Sequence, residues 1–314
     1  MRLVVVGAGI AGVSLIEKLK DSGFEITLIE KENPPFRKHL FIDWLLDKIN
    51  NQNFFLPLES LKSNIPSLEI IQSRVLKVNL EKRKVFLKEY QSLEFDKIVF
   101  CCGLRGKRVV FPGVYKEGVY YLGEEALKLK QDLIIYGQII VYAKTILGIN
   151  LAKALHSLNK DVKIIVDNPS FSEELKQELI SCLGEGNLYF NSQIAEGLGE
   201  GRIRAVKLSR GKFLACDLLI IDSGYFPYTS LLRDYPDLLS KEGFLKVDDY
   251  LKVNDTCFAC GDMTNPKVLE QTFDNNKYLA SEQAKVVADN LRGLRQTFSW
   301  AVRVGFIERR RQDA

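Results

Sequence analysis

Three glycines close to the N-terminus have a spacing that brings a peptide backbone against a ligand. Gly7, Gly9 and Gly12 follow an apolar run and precede a segment with apolar residues at helical spacing. Gly7 permits a tight turn, Gly9 lets the backbone approach a pyrophosphate, and Gly12 lets the helix pack closely on the strand. The helix N-terminus then offers free N–H groups to a negative charge. This spacing therefore predicts a dinucleotide-binding turn.

An acidic residue ends the next apolar run. Glu30 lies 18 residues after Gly12. A carboxylate at this position accepts hydrogen bonds from a ribose diol. The glycine pattern alone is weak evidence, but strand, turn, helix, strand and acid in this order favour a dinucleotide site over a purely structural turn.

A second strand, turn and helix pattern begins 137 residues after the first. Aligned on its strand and helix, it has Ala143 and Thr145 in place of the first two glycines and keeps only Gly148. A Cβ at the second position stands where a pyrophosphate must approach, and a β-branched residue also disfavours the tight turn. Lys144 offers a phosphate partner, and Asp167 ends the next strand, where it would hold a ribose and favour NAD over NADP. The sequence leaves open whether this turn binds NAD(H) or belongs to a relic domain kept for packing.

The elements that must position these residues alternate between strands and helices. Strands are predicted at residues 2–6, 25–30, 97–101, 139–143, 162–167 and 218–221, and helices at 11–21, 147–158 and 277–291. Such βαβ units imply parallel sheets. Residues 68–88 alternate between apolar and basic side chains and predict a hairpin layer. The predicted fold is α/β, with two doubly wound nucleotide-binding domains, the second inserted in the first.

Composition excludes several classes of protein. A length of 314 residues predicts about two domains, since a domain averages roughly 150 residues. With 46% hydrophobic and 27% charged residues the chain is globular, and a net charge of +4 gives no footprint for nucleic acid. The N-terminus has no secretory pattern and the cysteines lack a secreted spacing, so we expect a cytoplasmic protein. The apolar window 133–152 contains Lys144 and two glycines, which favours a buried strand and helix over a transmembrane segment.

Later segments resemble a known family. The segment from Phe258 to Asp262 resembles the second FAD motif of the pyridine nucleotide-disulfide oxidoreductase superfamily. The segment from Phe95 to Gly103 is similar to its strand ending in Ala-Thr-Gly, here with Cys101 and Cys102 in place of Ala and Thr. Residues 111–114 resemble its crossover, and residues 217–224 the strand that closes its nucleotide domain. The resemblance covers nearly the whole chain and implies FAD in the first domain.

One group within the superfamily is more similar than the others. Residues 35–40, which include Lys38, resemble the flavin-lining segment of rubredoxin, ferredoxin and nitrite reductase flavoprotein modules, with an ordinary basic loop as the alternative. The candidate FAD-binding residues are Gly7, Ala8, Gly9, Ile10, Ala11, Gly12, Glu30, Lys31, Lys38, Val75, Cys102, Gly103, Gly261 and Asp262. The candidates for a nicotinamide cofactor are Ala143, Thr145, Gly148, Asp167 and Gly224. We nominate no catalytic acid, base or nucleophile, because hydride transfer through a flavin requires none.

The cysteines do not indicate a metal site or a redox dithiol. Cys257 and Cys260 have CxxC spacing, but residues three apart on a strand point to opposite faces, which makes a disulfide awkward. A thioredoxin reductase-like dithiol is the lesser alternative. Cys101 and Cys102 are expected in the core, with Cys102 close to the flavin.

The resemblance implies four segments. The FAD-binding domain comprises residues 1–112 and 243–295, an NAD(P)H-binding-like domain residues 113–242, and a C-terminal strand with a basic tail residues 296–314. Apolar residues alternate from Phe298 to Phe306 before three arginines. We expect this strand either to join its own sheet or to contact a partner protein, a second copy of the chain or an anionic surface.

The resemblance also implies a function. The chain is expected to be a FAD-dependent oxidoreductase that passes electrons from NAD(P)H through FAD to a rubredoxin- or ferredoxin-like protein. The alternative is the flavin subunit of a larger electron-transfer complex, with a non-functional NAD(P)H site. Quinone reduction at a membrane surface is a third possibility.

Overall fold

Strands and helices alternate along most of the chain. The computed structural model describes residues 1–32, 34–168, 171–264 and 273–299, without the side chains of residues 90 and 273–277. The strands are β1 (Arg2–Val6), β2 (Glu25–Glu30), β3 (Leu68–Gln72), β4 (Val75–Asn79), β5 (Lys84–Leu87), β6 (Ser92–Glu94), β7 (Lys97–Phe100), β8 (Leu104–Gly106), β9 (Val119–Tyr121), β10 (Gln138–Ala143), β11 (Asp161–Val166), β12 (Leu188–Phe190), β13 (Ile194–Leu198), β14 (Ala205–Leu208), β15 (Phe213–Ala215), β16 (Leu218–Asp222), β17 (Tyr225–Pro227) and β18 (Cys257–Ala259). The α-helices are α1 (Ile10–Leu19), α2 (Phe41–Leu45), α3 (Asn51–Phe54), α4 (Leu58–Asn64), α5 (Ala126–Ile135), α6 (Ile146–Ser157), α7 (Glu173–Leu183) and α8 (Phe273–Leu291).

The chain divides into two compact units. Unit 1 comprises Met1–His39, Asn51–Arg105 and Phe226–Ala314, and unit 2 comprises Leu40–Asn50 and Gly106–Tyr225. Most of unit 2 is therefore one stretch inserted in the sequence of unit 1, and each unit has its own parallel sheet. The predicted α/β fold with two parallel-sheet domains is confirmed.

Along the chain, the boundaries between the two units lie earlier than the predicted boundaries near residues 112–113 and 243. The boundaries fall after residues 105 and 225. Beyond the second of these, Leu231 and Leu232 are fully buried in the same apolar cluster as Val78 of β4. This packing assigns residues 226–242 to unit 1, because a segment belongs to the core in which its apolar side chains are buried.

The sheet of unit 1 has β1 at its centre. Its strand order is β18-β7-β1-β2-β3, and all pairs are parallel. Alternate residues of β1 are buried on opposite faces: Leu3 and Val5 pack in one cluster with α1 and α8, and Val4 and Val6 in another with β4 and β5. Burial on both faces explains why β1 is a continuous apolar run.

The predicted hairpin layer at residues 68–88 is wrong in its first part. Leu68–Gln72 forms β3, which pairs in parallel with β2 at the edge of the main sheet. The antiparallel layer begins at Val75 and consists of β4, β5 and β6. An edge strand exposes part of its surface, and the alternation in β3 therefore looks like that of a hairpin strand.

Unit 2 repeats this arrangement around β10. Its sheet has the order β12-β11-β10-β16-β9, again with parallel pairs. The antiparallel strands β13, β14 and β15 contribute Val206, Leu208 and Leu214 to a cluster that buries Ile140 and Ile221 on one face. The apolar window 133–152 contains the end of α5, then β10 and the start of α6, which are the predicted buried strand and helix. Within the described ranges, no helix is both long and apolar enough to cross a membrane.

The predicted C-terminal strand lies almost entirely outside the described residues. Its first residue, Phe298, is 2% exposed and packs in the core of unit 1. The N–H of Phe298 donates to the carbonyl of Asp249 at 2.7 Å. Phe298 therefore belongs to the fold of unit 1.

Candidate functional site

The turn between β1 and α1 has the geometry that its three glycines predict. Gly7 has a φ of +103°, and a Cβ there would lie 2.6 Å from the carbonyl oxygen of Cys101. A Cβ on Gly12 would lie 2.0 Å from the carbonyl oxygen of Gly7. Gly9 differs, because no atom of the described residues lies within 4 Å of its Cβ position. Two glycines therefore close the turn, and the third leaves space above it.

The start of α1 is available to a ligand. Gly9 is the N-cap residue and has no side-chain cap from the described part of the chain, and the first turn of the helix has no acidic residue. Ile10, Ala11 and Gly12 form that first turn, whose N–H groups have no intrahelical acceptor. The N-terminus of α1 therefore presents a partial positive charge with open space in front of Gly9.

Glu30 lies beside this turn. It ends β2, is 9% exposed, and accepts hydrogen bonds from the N–H groups of Ala8 at 2.6 Å, Lys31 at 2.7 Å and Glu32 at 2.9 Å. The ammonium of Lys31 pairs with Glu32 at 2.9 Å. The Glu30 carboxylate is thus fixed by backbone donors at the end of β2.

A recess opens at the carboxyl ends of β1 and β2. It brings together predicted site residues that are far apart in sequence, and it adds Ser73, Arg74 and Tyr228, which the sequence analysis missed. Its lining residues are Val6, Gly7, Ile29, Glu30, Lys31, Ser73, Arg74, Val75, Cys102 and Tyr228. Tyr228 follows β17 by one residue, and nothing in the local pattern connects it with Glu30; only the fold brings the two together.

The remaining predicted residues of unit 1 lie around Lys38 and Asp262. The Lys38 ammonium donates to the carbonyl of Leu104, next to Gly103, at 3.3 Å. Burial raises the pKa of Asp262 to about 6, against the opposing charge of Lys38. Gly261 has a φ of +84°, and its N–H donates to the side-chain oxygen of Gln283 at 2.6 Å. Asp262 is therefore a half-buried acid that follows a sharp turn after β18.

Three of the four cysteines of unit 1 are buried in its core, and the fourth, Cys102, is half-buried and lines the recess. Cys257 and Cys260 pack in different clusters, as predicted from their spacing. The sulfur of Cys260 lies 3.4 Å from that of Cys101, and both thiols are free. The Cys260 contact and burial raise the pKa of Cys101, and burial raises that of Cys102 to about 12. Such thiols carry little thiolate at neutral pH, so they lack the reactivity of a redox dithiol.

The second turn, between β10 and α6, is capped from within. Thr145 is the N-cap residue, and its hydroxyl oxygen accepts from the N–H of Leu147 at 3.2 Å. Ala143 ends β10. A Cβ on Gly148 would lie 2.9 Å from the Cβ of Ala143, which confirms Gly148 as a packing position.

Asp222, which the sequence analysis did not nominate, lies under this turn. It ends β16 and is 1% exposed. Its Oδ2 accepts from the N–H groups of Thr145 and Gly148, both at 3.0 Å, and from the Thr145 hydroxyl at 2.7 Å. Gly224, which has a φ of +81°, donates its N–H to Oδ1 at 3.4 Å. Burial raises the pKa of Asp222, and the donors of Thr145, Gly148 and Gly224 partly offset this.

Asp167, the predicted ribose acid of unit 2, already has side-chain partners. It pairs with the Lys144 ammonium at 2.8 Å, and it accepts a hydrogen bond from the Tyr142 hydroxyl at 2.5 Å. Burial acts to raise the pKa of Asp167, but the Lys144 and Tyr142 contacts outweigh it and lower the pKa. Lys144 is therefore directed to Asp167 rather than held free for a phosphate.

The two turns differ in their fit to a dinucleotide. In unit 1 the open space at Gly9, the uncapped start of α1 and the Glu30 carboxylate fit the pyrophosphate and ribose of FAD. In unit 2 the donors of Gly148 and Leu147 are bound to side chains, and Asp167 is paired. Those residues do not fit the pyrophosphate and ribose of NAD(P)H.

Comparison with known proteins identifies the family. A model of the pyridine nucleotide-disulphide oxidoreductase family matches residues 1–284. Rubredoxin-NAD(+) reductase of Pseudomonas putida is 24% identical, over 93% of this chain and 80% of its own length. The ferredoxin–NAD(+) reductase component of the p-cumate 2,3-dioxygenase system, also from Pseudomonas putida, is 24% identical over 84% of this chain and 68% of its own length.

A solved structure has the same fold. The ferredoxin reductase for the CYP199A2 system from Rhodopseudomonas palustris superposes with a TM-score of 0.80 at 21% identity, and the match covers 95% of this chain and 78% of that protein. The similarity supports the two-domain α/β fold of the chain.

Proposed function

The chain belongs to the pyridine nucleotide-disulphide oxidoreductase family of flavoproteins, and from this we propose that it is a FAD-dependent oxidoreductase that exchanges electrons with a protein partner. The observation that carries the proposal is the start of α1. No described side chain caps its N–H groups or closes the approach to the backbone at Gly9, and the Glu30 carboxylate stands beside it. An external anion with a ribose attached satisfies all three features.

The chain's own residues bind and orient the cofactor in this proposal. The N–H groups of Gly9 and the first turn of α1 hold the pyrophosphate, Glu30 accepts from the ribose diol, and Asp262 with the turn at Gly261 holds the flavin side of the molecule. Bound FAD would supply both hydride and single-electron transfer, so the protein has only to position and tune it. The predicted site residues of unit 1 thus form a binding list rather than a catalytic one.

The proposed protein partner is a small iron–sulfur or rubredoxin-like protein. Two relatives at 24% identity are named as reductases that act with rubredoxin and ferredoxin. The same chemistry suits a flavin subunit of a larger electron-transfer complex.

Two routes for electrons into the flavin follow from the sequence: NAD(P)H bound in unit 2, or a reduced partner protein. The geometry of unit 2 supports the second route better, because the donors of Gly148 and Leu147 and the Asp167 carboxylate already have partners in the chain.

An anaerobic visible spectrum of the purified protein tests the proposal. We expect a flavin spectrum, or its recovery when FAD is added, and bleaching by dithionite. A reduced ferredoxin-type protein should also bleach it, whereas stoichiometric NADH or NADPH should not. A protein that neither carries nor takes up FAD would contradict the proposal, and rapid bleaching by NADH would restore the first route.

A further inference from the structure

We propose that the Asp222 carboxylate takes the place of a dinucleotide pyrophosphate in unit 2 and so prevents NAD(P)H from binding there. Asp222 would then be the residue that decides ligand specificity in this unit. The inference deepens the proposed function, since it concerns the electron donor, and it rests on that function only for the identity of the ligand.

The positions of Asp222 and Cys101 are equivalent in the two units. In unit 1, Val6 of β1 is in register with Phe100 of β7, so that Gly7 stands opposite Cys101. In unit 2, Ala143 is aligned with Gly7 and stands opposite Asp222 of β16. The chain therefore places a neutral thiol under the first turn and a carboxylate under the second.

The Asp222 carboxylate uses the donors that a phosphate would need. Oδ2 accepts from the N–H groups of Thr145 and Gly148 and from the Thr145 hydroxyl. That hydroxyl in turn accepts from the N–H of Leu147. The second and third N–H groups of α6, which point toward its N-terminus, are thus both satisfied within the chain.

The charge of Asp222 and the space filled by Thr145 both act against a phosphate at the start of α6. Asp222 is 1% exposed, so a phosphate brought to the start of α6 would meet a negative charge in a poorly screened environment. The side chain of Thr145 also occupies the position that Gly9 leaves open in unit 1. Both the repulsion and the added Cβ disfavour a bound pyrophosphate.

The ribose position is closed by an independent contact. Asp167 is paired with Lys144 and accepts from Tyr142, whereas the equivalent Glu30 accepts from backbone N–H groups alone among the described contacts. A ribose diol would have to displace the Lys144 ammonium or the Tyr142 hydroxyl. The groups that would bind the pyrophosphate and the ribose of NAD(P)H are therefore both already bound within the chain.

The test is a calorimetric titration of the full-length protein, reconstituted with FAD, with NADH and separately with ADP. The informative variants carry the residues of unit 1: Asp222→Cys, and Asp222→Cys together with Thr145→Gly. Asp222→Asn keeps the shape of the side chain and removes its charge. Asp217→Asn is the matched control, because Asp217 lies just before the same strand and pairs with Arg204 instead of α6.

We expect no saturable binding of NADH by the wild type or by Asp217→Asn up to about 1 mM. The double variant should bind NADH and ADP at least about tenfold more tightly, and Asp222→Asn should give a smaller gain. Wild-type protein that binds NADH with a Kd below about 10 μM would overturn the inference. So would folded Asp222 variants, verified by their thermal midpoints, that bind no better than wild type.

The wild-type titration keeps the inference falsifiable even where a variant does not fold. The flavin spectrum of the same samples separates it from the proposed function. Protein without flavin would refute the proposed function, whereas flavin-containing protein that binds NADH tightly would refute this inference alone.

Discussion

The turns after β1 and β10 share a scaffold and differ in what lies beneath the following helix. In both, a central parallel strand leads into a helix that packs through a glycine, Gly12 or Gly148. The neighbouring strand is followed directly by Cys101 in the first unit and ends in Asp222 in the second. A helix N-terminus attracts anions wherever it occurs. What decides whether it binds an external one is whether the chain already supplies its own.

The largest expected effect is a difference in stability between alanine variants of Gly12, which packs against the Gly7 carbonyl, and of Gly9, which faces open space. Gly12→Ala places a Cβ where only 2.0 Å is available to the Gly7 carbonyl oxygen, so we expect a loss of about 4 kcal/mol or more in the free energy of unfolding. Gly9→Ala has open space and should leave the thermal midpoint within about 2 °C of wild type while it weakens FAD binding. Thermal unfolding and flavin content measure both. Equal stability of the two variants would contradict this account of the turn.

Replacing Cys101 of unit 1 by the aspartate found at the equivalent position of unit 2 should make the first turn as unsuited to a dinucleotide as the second. Cys101→Asp buries a carboxylate beside the Cys260 sulfur and under α1, which we expect to destabilise the protein by about 3 kcal/mol and to lower FAD affinity at least about 100-fold. Cys101→Ser introduces a small polar group without charge and serves as the control. Flavin release on dilution, followed by fluorescence, measures the change. Retention of FAD by a folded Cys101→Asp variant would show that a carboxylate here does not exclude a pyrophosphate.

A double-mutant cycle measures how closely Asp222 and α6 are coupled. Gly148→Ala would put a Cβ 2.7 Å from Oδ2 of Asp222, with an expected cost of about 2 kcal/mol. Asp222→Ala removes that oxygen, so the Gly148→Ala substitution should cost less in its presence, although the Cβ atoms of Ala143 and of residue 222, both at 2.9 Å, remain. Denaturant unfolding of the four proteins gives the coupling energy. If the effects of the two substitutions on the free energy of unfolding were strictly additive, the Asp222 carboxylate would not be in contact with Gly148.

The smallest expected effect is the pH dependence of stability that Asp262 gives to unit 1. Burial raises the pKa of Asp262 to about 6, so its contribution to the stability of the apoprotein is greatest below pH 4 and is lost as the pH rises to about 6. Asp262→Asn removes this dependence and should make the apoprotein about 1 to 2 kcal/mol more stable than wild type at pH 7. Thermal midpoints of both apoproteins between pH 4 and 7 test this. Parallel curves would mean that Asp262 is not the titrating group.

The sequence predicts the turn of unit 1 well because its determinants are local. Gly7, Gly9, Gly12 and Glu30 lie within 24 residues, and each fills a position defined by one strand–turn–helix–strand unit. Asp222 was missed because it acts on a helix that begins 76 residues earlier, and the register between β10 and β16 is visible only in the fold. Its one signal is an acid at the end of an otherwise apolar strand.

The error at β3 has a related cause. Leu68–Gln72 alternates because it lies at the edge of a parallel sheet, and a short alternating run has the same pattern in an antiparallel hairpin. Local periodicity thus predicts that a strand forms, and the partner of the strand depends on residues that are distant in sequence.

The pairing of β7 with β18 has a consequence for protein synthesis. β7 ends at Phe100, and β18 begins only at Cys257, after all the strands of the unit 2 sheet. At about 5 to 20 residues per second, β7 leaves the ribosome roughly 10 to 30 s before its outer neighbour. During that interval Ile98 and Val99 lie on an unpaired edge, which is a site for aggregation or chaperone binding. The inserted unit completes its sheet first, and the nascent unit 1 must wait for it.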